Sequence, residues 1–564
     1  MKKIIYGDSN FKKIREGNYC YIDKTRFIEL LENKGDRYLA FLRPRRFGKS
    51  LFLSTLWHYY DENFKDEFDT LFKDTYIHKH KTDLQGSYRV LFLEFSGIEV
   101  AKGLDRTRKD FLFKMKSCIL GYLDNYNYPK ENKIKIESIQ DIQELIGSFF
   151  TTVKNDKIYL IIDEYDHFAN ALLAYSMDDF LKTVGKGGFI RSFYEILKTQ
   201  TMTGTLERMF ITGVTPITLD SLSSGFNIVK NISTHVEYNE MAGFTKDEVI
   251  LSIKETIGKQ CDINYPDILE QLRKLYNGYK FNIEAENRIY NSTMVNFFLS
   301  EYDTKRCKYP KKLLDPNVAS DYGIIMKLFN IGDKENNYKL LDKLITDGNI
   351  KGTLKARFDL DKGFFEDDFI TLIYSMGIIT FEKELFSDYV FCIPNYMMRV
   401  LYLNYFAVEI EKRNNIPIQG SALSVVRELA LGDMEPFKNQ LNKIVKILGN
   451  RDFMKFNEKH FQSIALSLLS FGEFYYIQSE REFDNKYPDI VVSGREPFYD
   501  EIKFNYLFEL KWIQKKEDYD SKKNLAIKEI KEYQELDSIK AIKDLYCYAL
   551  IGSKDGVEFI EVKR

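Results

Sequence analysis

Cysteine is sparse and scattered. Cys20, Cys118, Cys261, Cys307, Cys392 and Cys547 are the only six in 564 residues, with no C-x-x-C pair and no histidine at zinc spacing. This argues against a structural zinc site or a disulfide framework and predicts free thiols in a reducing compartment. No apolar run approaches the roughly 18 residues a membrane span needs. Met1-Lys-Lys-Ile-Ile-Tyr-Gly-Asp8 lacks the apolar core of a signal peptide, so the expected location is the cytoplasm, with no membrane partner. No internal repeat, heptad series or low-complexity tract stands out. Nor is either charge in excess: 82 basic against 84 acidic side chains give −2. That argues against a globally basic nucleic-acid binder, although a few Lys and Arg facing a phosphate backbone suffice for a local groove. The length predicts about three or four domains.

What is present begins with Phe41-Leu-Arg-Pro-Arg-Arg-Phe-Gly-Lys-Ser50. Tyr38 to Leu42 reads as a buried strand, and Phe52, Thr55, Leu56, Tyr59 and Tyr60 share one helical face. Gly48-Lys49-Ser50 therefore sits where a strand turns into a helix, the geometry of a P-loop. Backbone N–H groups of Arg46, Phe47, Gly48 and Leu51 are expected to surround phosphates, Lys49 to reach the terminal ones and Ser50 to take a Mg²⁺ position. The loop departs from a general Walker A motif, since the position that should be glycine is Arg43. Its counterpart is Ile158-Tyr-Leu-Ile-Ile-Asp163-Glu164, an apolar run delivering two acids at its end. Asp163 is expected to hold Mg²⁺ and Glu164 to orient the attacking water.

Around this pair, Tyr21 to Leu31 reads as a helix begun by Asp23 or Thr25, either flanking the adenine or simply packing. Val90 to Phe95 and Arg208 to Gly213 are further strands, and the long spacers between them predict a parallel sheet with helical crossovers. Thr212 or Thr215 is suitably placed beside a γ-phosphate; a strand-end threonine also caps turns. Thr245-Lys-Asp-Glu248 is a capping box opening a helical lid.

Tyr21-Ile-Asp-Lys-Thr25, the Arg43 to Ser50 form of the P-loop, Asp163-Glu164, Asn239 to Thr245 and Tyr276-Asn-Gly-Tyr279 resemble the AAA-ATPase-like domain of a large bacterial family. In that family this ATPase is joined to a C-terminal domain of the PD-(D/E)xK nuclease superfamily. The resemblance implies the additional-strand NTPase fold, and Arg43-Pro44 looks like the family's own version of the loop. AAA sites are often completed by an arginine from a neighbour, so a homo-oligomer is expected, with Arg46, Arg191 and Arg208 as unranked candidate fingers.

Phe369 to Thr380 reads as a helix entering a strand, and Tyr389 to Pro394 as the second strand of a hairpin. That order permits a winged-helix-like module that binds DNA or joins domains; its apolar helix favours joining. Ala422 to Leu448 reads as a helical connector.

The C-terminal stretch carries a second constellation. Asn457 to Leu469 is an amphipathic helix with Glu458 on its apolar face. Asp489 enters a strand, and in Leu507-Phe-Glu509-Leu-Lys511-Trp512 alternation puts Glu509 and Lys511 on one side. If the two strands form a hairpin, Asp489 and Glu509 can hold Mg²⁺ or Mn²⁺, and Lys511 can steady the nucleophile or the developing charge of phosphodiester hydrolysis. A helix through Ala526, Ile527, Ile530, Tyr533 and Gln534 and a second hairpin, Leu545 to Ile551 and Val557 to Val562, follow. This order is similar to the PD-(D/E)xK core. The resemblance implies catalytic roles for Asp489, Glu509 and Lys511, with Glu458 as a further metal acid and Gln462 as a minor contact.

The expected fold is therefore α/β and multidomain. A P-loop AAA-like parallel sheet (1–240) with a helical lid (241–300) precedes a helical, winged-helix-like middle region (301–450). A PD-(D/E)xK restriction-endonuclease-like α/β domain (451–564) follows. The expected activity is an ATP-dependent or ATP-gated metal nuclease acting on DNA, with ATP and Mg²⁺ as cofactors; family analogy suggests a defence or mobile-element role. The rival is a nucleotide-switched binding or signalling NTPase with an inactive nuclease-like domain, motivated by the near-neutral charge.

Overall fold

Asp23 and Thr25 together start the first helix to be considered. The Asp23 carboxylate accepts the Thr25 N–H at 2.8 Å, and α1 (Arg26–Asn33) follows. The computed structural model describes residues 1–221, 226–258, 265–355, 358, 363–386, 388–414, 418–449, 456–479 and 486–563. Cys261 and the domain boundary expected at 450–451 lie outside the described residues. The described chain forms two compact units. One comprises Met1–Ser300, Ser320–Leu341 and Asn349–Asn395; the other comprises Glu301–Ala319, Asp342–Gly348 and Tyr396–Arg564.

In the first unit, β1 (Tyr38–Leu42) leads through the P-loop into α2 (Lys49–Tyr60). Next come β2 (Arg89–Glu94), β3 (Ile158–Asp163), α3 (His167–Tyr175), β4 (Leu206–Gly213) and the two-residue β5 (Lys230–Asn231). The sheet order is β2-β3-β4-β1-β5, with every pairing parallel. All six residues of β3 are buried, which is why the sequence shows an unbroken apolar run there instead of alternation. β4 lies between the strand of the P-loop and the strand of the acid pair, with Phe41 opposite Thr212 and Ile162 opposite Ile211. Three chemistry-bearing strand ends thus meet at one edge of the sheet. Thr245 makes the expected capping box with Glu248 at the start of α4 (Lys246–Thr256). α5 (Tyr265–Tyr276) and α6 (Ser292–Glu301) follow, with two antiparallel bridges, Phe244 to Tyr290 and Tyr279 to Ile289, threaded between the helices.

A three-stranded antiparallel sheet completes this unit. β6 (Asn349–Gly352) precedes α7 (Glu366–Ser375) and the hairpin β7 (Thr380–Leu385) and β8 (Asp388–Cys392), in the order β6-β8-β7. The hairpin was legible in the sequence and β6 was not. In α7 every residue from Asp368 to Tyr374 is buried. That run leaves no free face to lay along a nucleic-acid groove.

In the second unit, α8 (Gln419–Leu431) and α9 (Glu435–Gly449) precede α10 (Glu458–Leu469), β9 (Tyr475–Ser479), β10 (Ile490–Gly494), β11 (Asn505–Trp512), α11 (Tyr519–Gln534), β12 (Leu545–Ser553) and β13 (Gly556–Glu561). The sheet runs β13-β12-β11-β10-β9 and is mixed, parallel only between β11 and β12. The region expected at 301–450 as one connecting body is divided between the two units. α9 is part of the C-terminal sheet's packing: its Phe437 ring lies 5.7 Å from Phe508 and 6.0 Å from Phe559, and Asn442 accepts the Val557 N–H at 2.6 Å. Periodicity revealed an amphipathic helix; what it covers depends on strands more than sixty residues away.

Cys20, Cys118, Cys392 and Cys547 are free thiols. Cys307 is disulfide-bonded, which corrects the expectation of six free cysteines; scattered spacing carries no sign of a pairing made by the fold. No helix among the described residues is long and apolar enough to cross a membrane.

Candidate functional site

The first group of candidate residues converges at the carboxyl ends of β1, β3 and β4. The loop after β1 reverses through two left-handed residues, Arg46 at φ 70° and Gly48 at φ 87°, and places Lys49, Ser50 and Leu51 in the first turn of α2. Unpaired N–H groups at such an end attract anions. Lys49 Nζ donates to the Arg43 and Pro44 carbonyls, each at 2.9 Å. Burial pulls its pKa down to about 8 against the charges of Asp163, Glu164 and Asp166. Asp163 accepts from Thr212 Oγ1 at 2.6 Å, from the Glu164 N–H at 2.9 Å and from the Ser50 hydroxyl. Burial lifts its carboxyl above the ordinary range, and those hydroxyls and Lys49 oppose the lift. Asp163 therefore links Ser50 to Thr212.

Arg43 occupies the position of the missing glycine and is only 1% exposed. Its guanidinium donates to the carbonyls of Leu42 (2.9 Å), Ser233 (2.6 Å) and Tyr238 (2.9 Å), and lies 4.3 and 4.1 Å from the centres of the Phe41 and Phe281 rings. Burial lowers its pKa to about 9, so it remains charged at neutral pH. Glycine here would leave three carbonyls and a side-chain-sized hole unfilled.

Phe47 and Arg46 tie the loop to the lid segment. The Phe47 ring packs 4.8 Å from Tyr279 and 5.5 Å from Phe281, and its carbonyl accepts the Gly243 N–H at 2.8 Å. The Arg46 carbonyl accepts the Thr293 N–H at 3.2 Å and Ser292 Oγ at 3.3 Å.

Glu164 adopts φ 50° and turns its carboxylate to within 2.9 Å of His167 Nδ1. Burial alone would raise its pKa, but His167, then Arg45 and Lys49, bring it down to about 2. Arg45 Nη2 lies 3.2 Å from the same Nδ1; that nitrogen can donate to the carboxylate or accept from the guanidinium, and the carboxylate favours donation. Arg45, Lys49, Glu164 and His167 line one cavity of about 250 Å³. Arg191 pairs with Glu195 on its own helix, and Arg208 meets Tyr88 at the opposite end of β4 from Thr212; neither lines the cavity. Thr215, the alternative to Thr212, is spent on Asp166, to which its N–H and Oγ1 donate at 2.7 and 3.1 Å. Sequence reasoning missed Arg45, Asp166 and His167 as site residues. A histidine one helical turn after the acid pair, in a chain with only six, was the available signal.

The second group assembles where β10 and β11 pair. Asp489 Oδ2 accepts the Leu510 N–H at 2.7 Å, and the Asp489 N–H faces Glu509 Oε2 at 3.4 Å. Lys511 Nζ donates to Glu509 Oε1 at 2.6 Å and pairs with Glu529 Oε2 of α11 at 2.9 Å. Gln462 Nε2 donates to the Asp489 carbonyl at 3.0 Å. Glu458 accepts the Trp512 N–H at 3.0 Å. Two carboxylates converge where three were expected: among the described residues no three His, Cys, Asp or Glu side chains form a group that could hold a metal ion. Glu458 accepts from the strand's backbone, as Asp489 does, and its charge acts on Asp489. Glu529, unforeseen, is half-buried beside the stripe that Ala526, Ile530 and Tyr533 form on α11; a charge flanking that stripe was the missed clue.

Burial raises the pKa of both Asp489 and Glu509, and in Glu509 the charge of Asp489 raises it further. Burial works against the Lys511 ammonium, but Glu509, Glu529 and Asp489 outweigh it and its pKa rises. A buried all-oxygen carboxylate pair resisting ionisation fits a hard divalent cation such as Mg²⁺ or Mn²⁺. Because the folded pKa values lie above those of the unfolded chain, this pair's stabilising contribution is complete below about pH 4 and is lost as pH rises through the raised values. Melting temperatures in EDTA are accordingly expected to fall between pH 5 and 9 more steeply than in Glu509→Gln, and Mn²⁺ is expected to stabilise more at pH 8 than at pH 5.5. A Mn²⁺ shift independent of pH would count against metal binding by this pair.

Each unit thus defines a class: a P-loop NTPase with an additional strand between its two motif strands, and a mixed-sheet fold of nuclease type. Family comparison names both. Residues 5–223 match the family described as Predicted AAA-ATPase, and residues 456–560 match the PD-(D/E)XK nuclease superfamily. The chain joins an AAA-ATPase-like domain to a PD-(D/E)XK nuclease superfamily domain. It is also 28% identical over 293 residues to an uncharacterized protein in the vnfD 5′ region of Azotobacter chroococcum mcd 1, a match covering 51% of this chain and 50% of the relative. The chain matches about half the length of that curated relative.

Proposed function

We propose that this chain is a cytoplasmic, ATP-gated, divalent-metal-dependent nuclease acting on DNA. Residues 1–240 hydrolyse ATP, residues 241–300 support the P-loop, and residues 451–564 cleave. The observation that carries the reading is the meeting of Asp489 and Glu509 across β10 and β11, with the Lys511 ammonium 2.6 Å from Glu509. When bound, Mg²⁺ or Mn²⁺ supplies Lewis-acid activation of water and of the scissile phosphate. Asp489 and Glu509 would hold it. Lys511, kept charged by its acidic neighbours, stabilises the charge developing on the phosphate oxygens. In the ATPase, Lys49 takes the terminal phosphates, Ser50 and Asp163 would hold the Mg²⁺ that accompanies ATP, Thr212 orients Asp163, and Glu164 orients the attacking water.

The test is to incubate the full-length protein with single- and double-stranded DNA and RNA, with and without Mn²⁺ and ATP. Metal-dependent DNA cleavage that changes with ATP is expected; cleavage indifferent to metal would remove the nuclease reading. The engagement of Lys511 by both Glu509 and Glu529 favours one alternative, a nucleotide-switched binder with an inactive nuclease fold. ATP-dependent DNA binding without cleavage would select it.

A further inference from the structure

We propose that Arg45 is the arginine finger of the ATPase and that it acts within its own chain. The proposal rests on the ATP-hydrolysis reading above and names a residue that reading leaves unassigned. Arg45 and Lys49 leave the same loop and line one cavity with Glu164. The Arg45 guanidinium approaches the Glu164 carboxylate through the His167 ring, at 3.2 and 2.9 Å. A γ-phosphate beside Lys49 would have the water-orienting acid and a second cation around it, as a transition state with charge spread over three oxygens requires. Of the other candidates, Arg43 is consumed by three carbonyls, and Arg46, Arg191 and Arg208 do not line the cavity.

A second observation concerns the space a neighbouring subunit would need. The cavity wall also includes Ala174 and Tyr175 of α3 together with Leu328 and Met376, all of the same compact unit. Next to Met376, Gly377 adopts φ 77° and approaches Pro44 so closely that a Cβ would stand 2.7 Å from the proline ring. The end of α7 therefore abuts the P-loop beside Arg45. The wall beside Arg45 is built from this chain, and the guanidinium already present does the work of a finger. His167 is a positioning residue: its Nδ1 lies 2.9 Å from the Glu164 carboxylate, to which it donates, and 3.2 Å from the Arg45 guanidinium.

The experiment is subunit mixing with the full-length protein at saturating MgATP, with nucleotide binding followed by a fluorescent ATP analogue. Arg45→Ala is expected to lower kcat by about 100-fold while binding the analogue with near wild-type affinity. Arg45→Lys, which keeps the charge without the planar fork, is expected to fall between and controls for folding. An equimolar mixture of Arg45→Ala with Glu164→Gln is expected to show only the sum of the two residual activities. Recovery of turnover in the mixture, or Arg45→Ala and Arg45→Lys turning over like wild type, would overturn the proposal. A wild-type protein that binds ATP but never hydrolyses it would instead defeat the ATPase reading itself, an outcome distinct from a failed finger in an active enzyme.

Discussion

Lys511→Ala is expected to reduce metal-dependent cleavage on the order of 10³-fold, with ATP hydrolysis unchanged within about twofold because the two sites share no residue. The side chain is 8% exposed and touches two carboxylates, Glu509 and Glu529, with Asp489 adjacent. Removing it withdraws the cation from the developing negative charge and leaves Glu509 and Glu529 without the partner they share. The second effect costs stability, about 3–5 kcal/mol where one member of a buried pair is deleted. Loss of activity in the alanine variant therefore needs a companion. Lys511→Met combined with Glu529→Gln keeps the volume and neutralises a partner, so it is expected to melt close to wild type and still fail to cleave. A well-folded double variant that cleaves DNA normally would show that the lysine's charge plays no part in the chemistry.

Glu164→Gln is expected to bind ATP and hydrolyse it on the order of 10³-fold more slowly. Lys49, Ser50 and Asp163 are untouched by the change, so MgATP should still stabilise the variant, by about 2.7 kcal/mol at a hundredfold excess over Kd. Lys49→Ala is expected to lose both hydrolysis and that stabilisation. The Glu164 pKa of about 2 means the carboxylate is ionised throughout the physiological range, so it contributes no pH dependence to turnover there. Normal turnover by the glutamine variant would exclude Glu164 as the group that orients water. The variant also separates two forms of gating: cleavage supported by ATP in Glu164→Gln shows that occupancy suffices, and cleavage abolished shows that hydrolysis is required.

Much of this architecture was legible because the signals are local. β1 and β3 are apolar runs fixed by burial on both faces, the P-loop is a strand-to-helix turn, and Thr245 with Glu248 is a four-residue capping pattern. Glu509 and Lys511 followed from two-residue alternation on β11, and their neighbourhood with Asp489 from assuming a hairpin. What escaped depends on contacts between distant segments. β5 and β6 are too short for a periodic signature, and α9 looks the same in sequence whether it links domains or covers a sheet. Arg45, Asp166, His167 and Glu529 carry no pattern of their own; each matters through one contact with a residue that does. The Trp512 N–H that Glu458 accepts is likewise a contact that only the fold reveals.

The attachment of the P-loop to residues 241–300 has a mechanical consequence. Lifting that segment as a flap would break three hydrogen bonds to the Arg46 and Phe47 carbonyls and uncover Phe47, which is 1% exposed. At about 1 kcal/mol for each bond and about 2 kcal/mol for the ring, the opening costs roughly 5 kcal/mol. A hinged cover would then stand open in fewer than about one molecule in a thousand. Helices α4 to α6 serve as the foundation under the loop, and substitutions there will be felt as a weakened grip on phosphate.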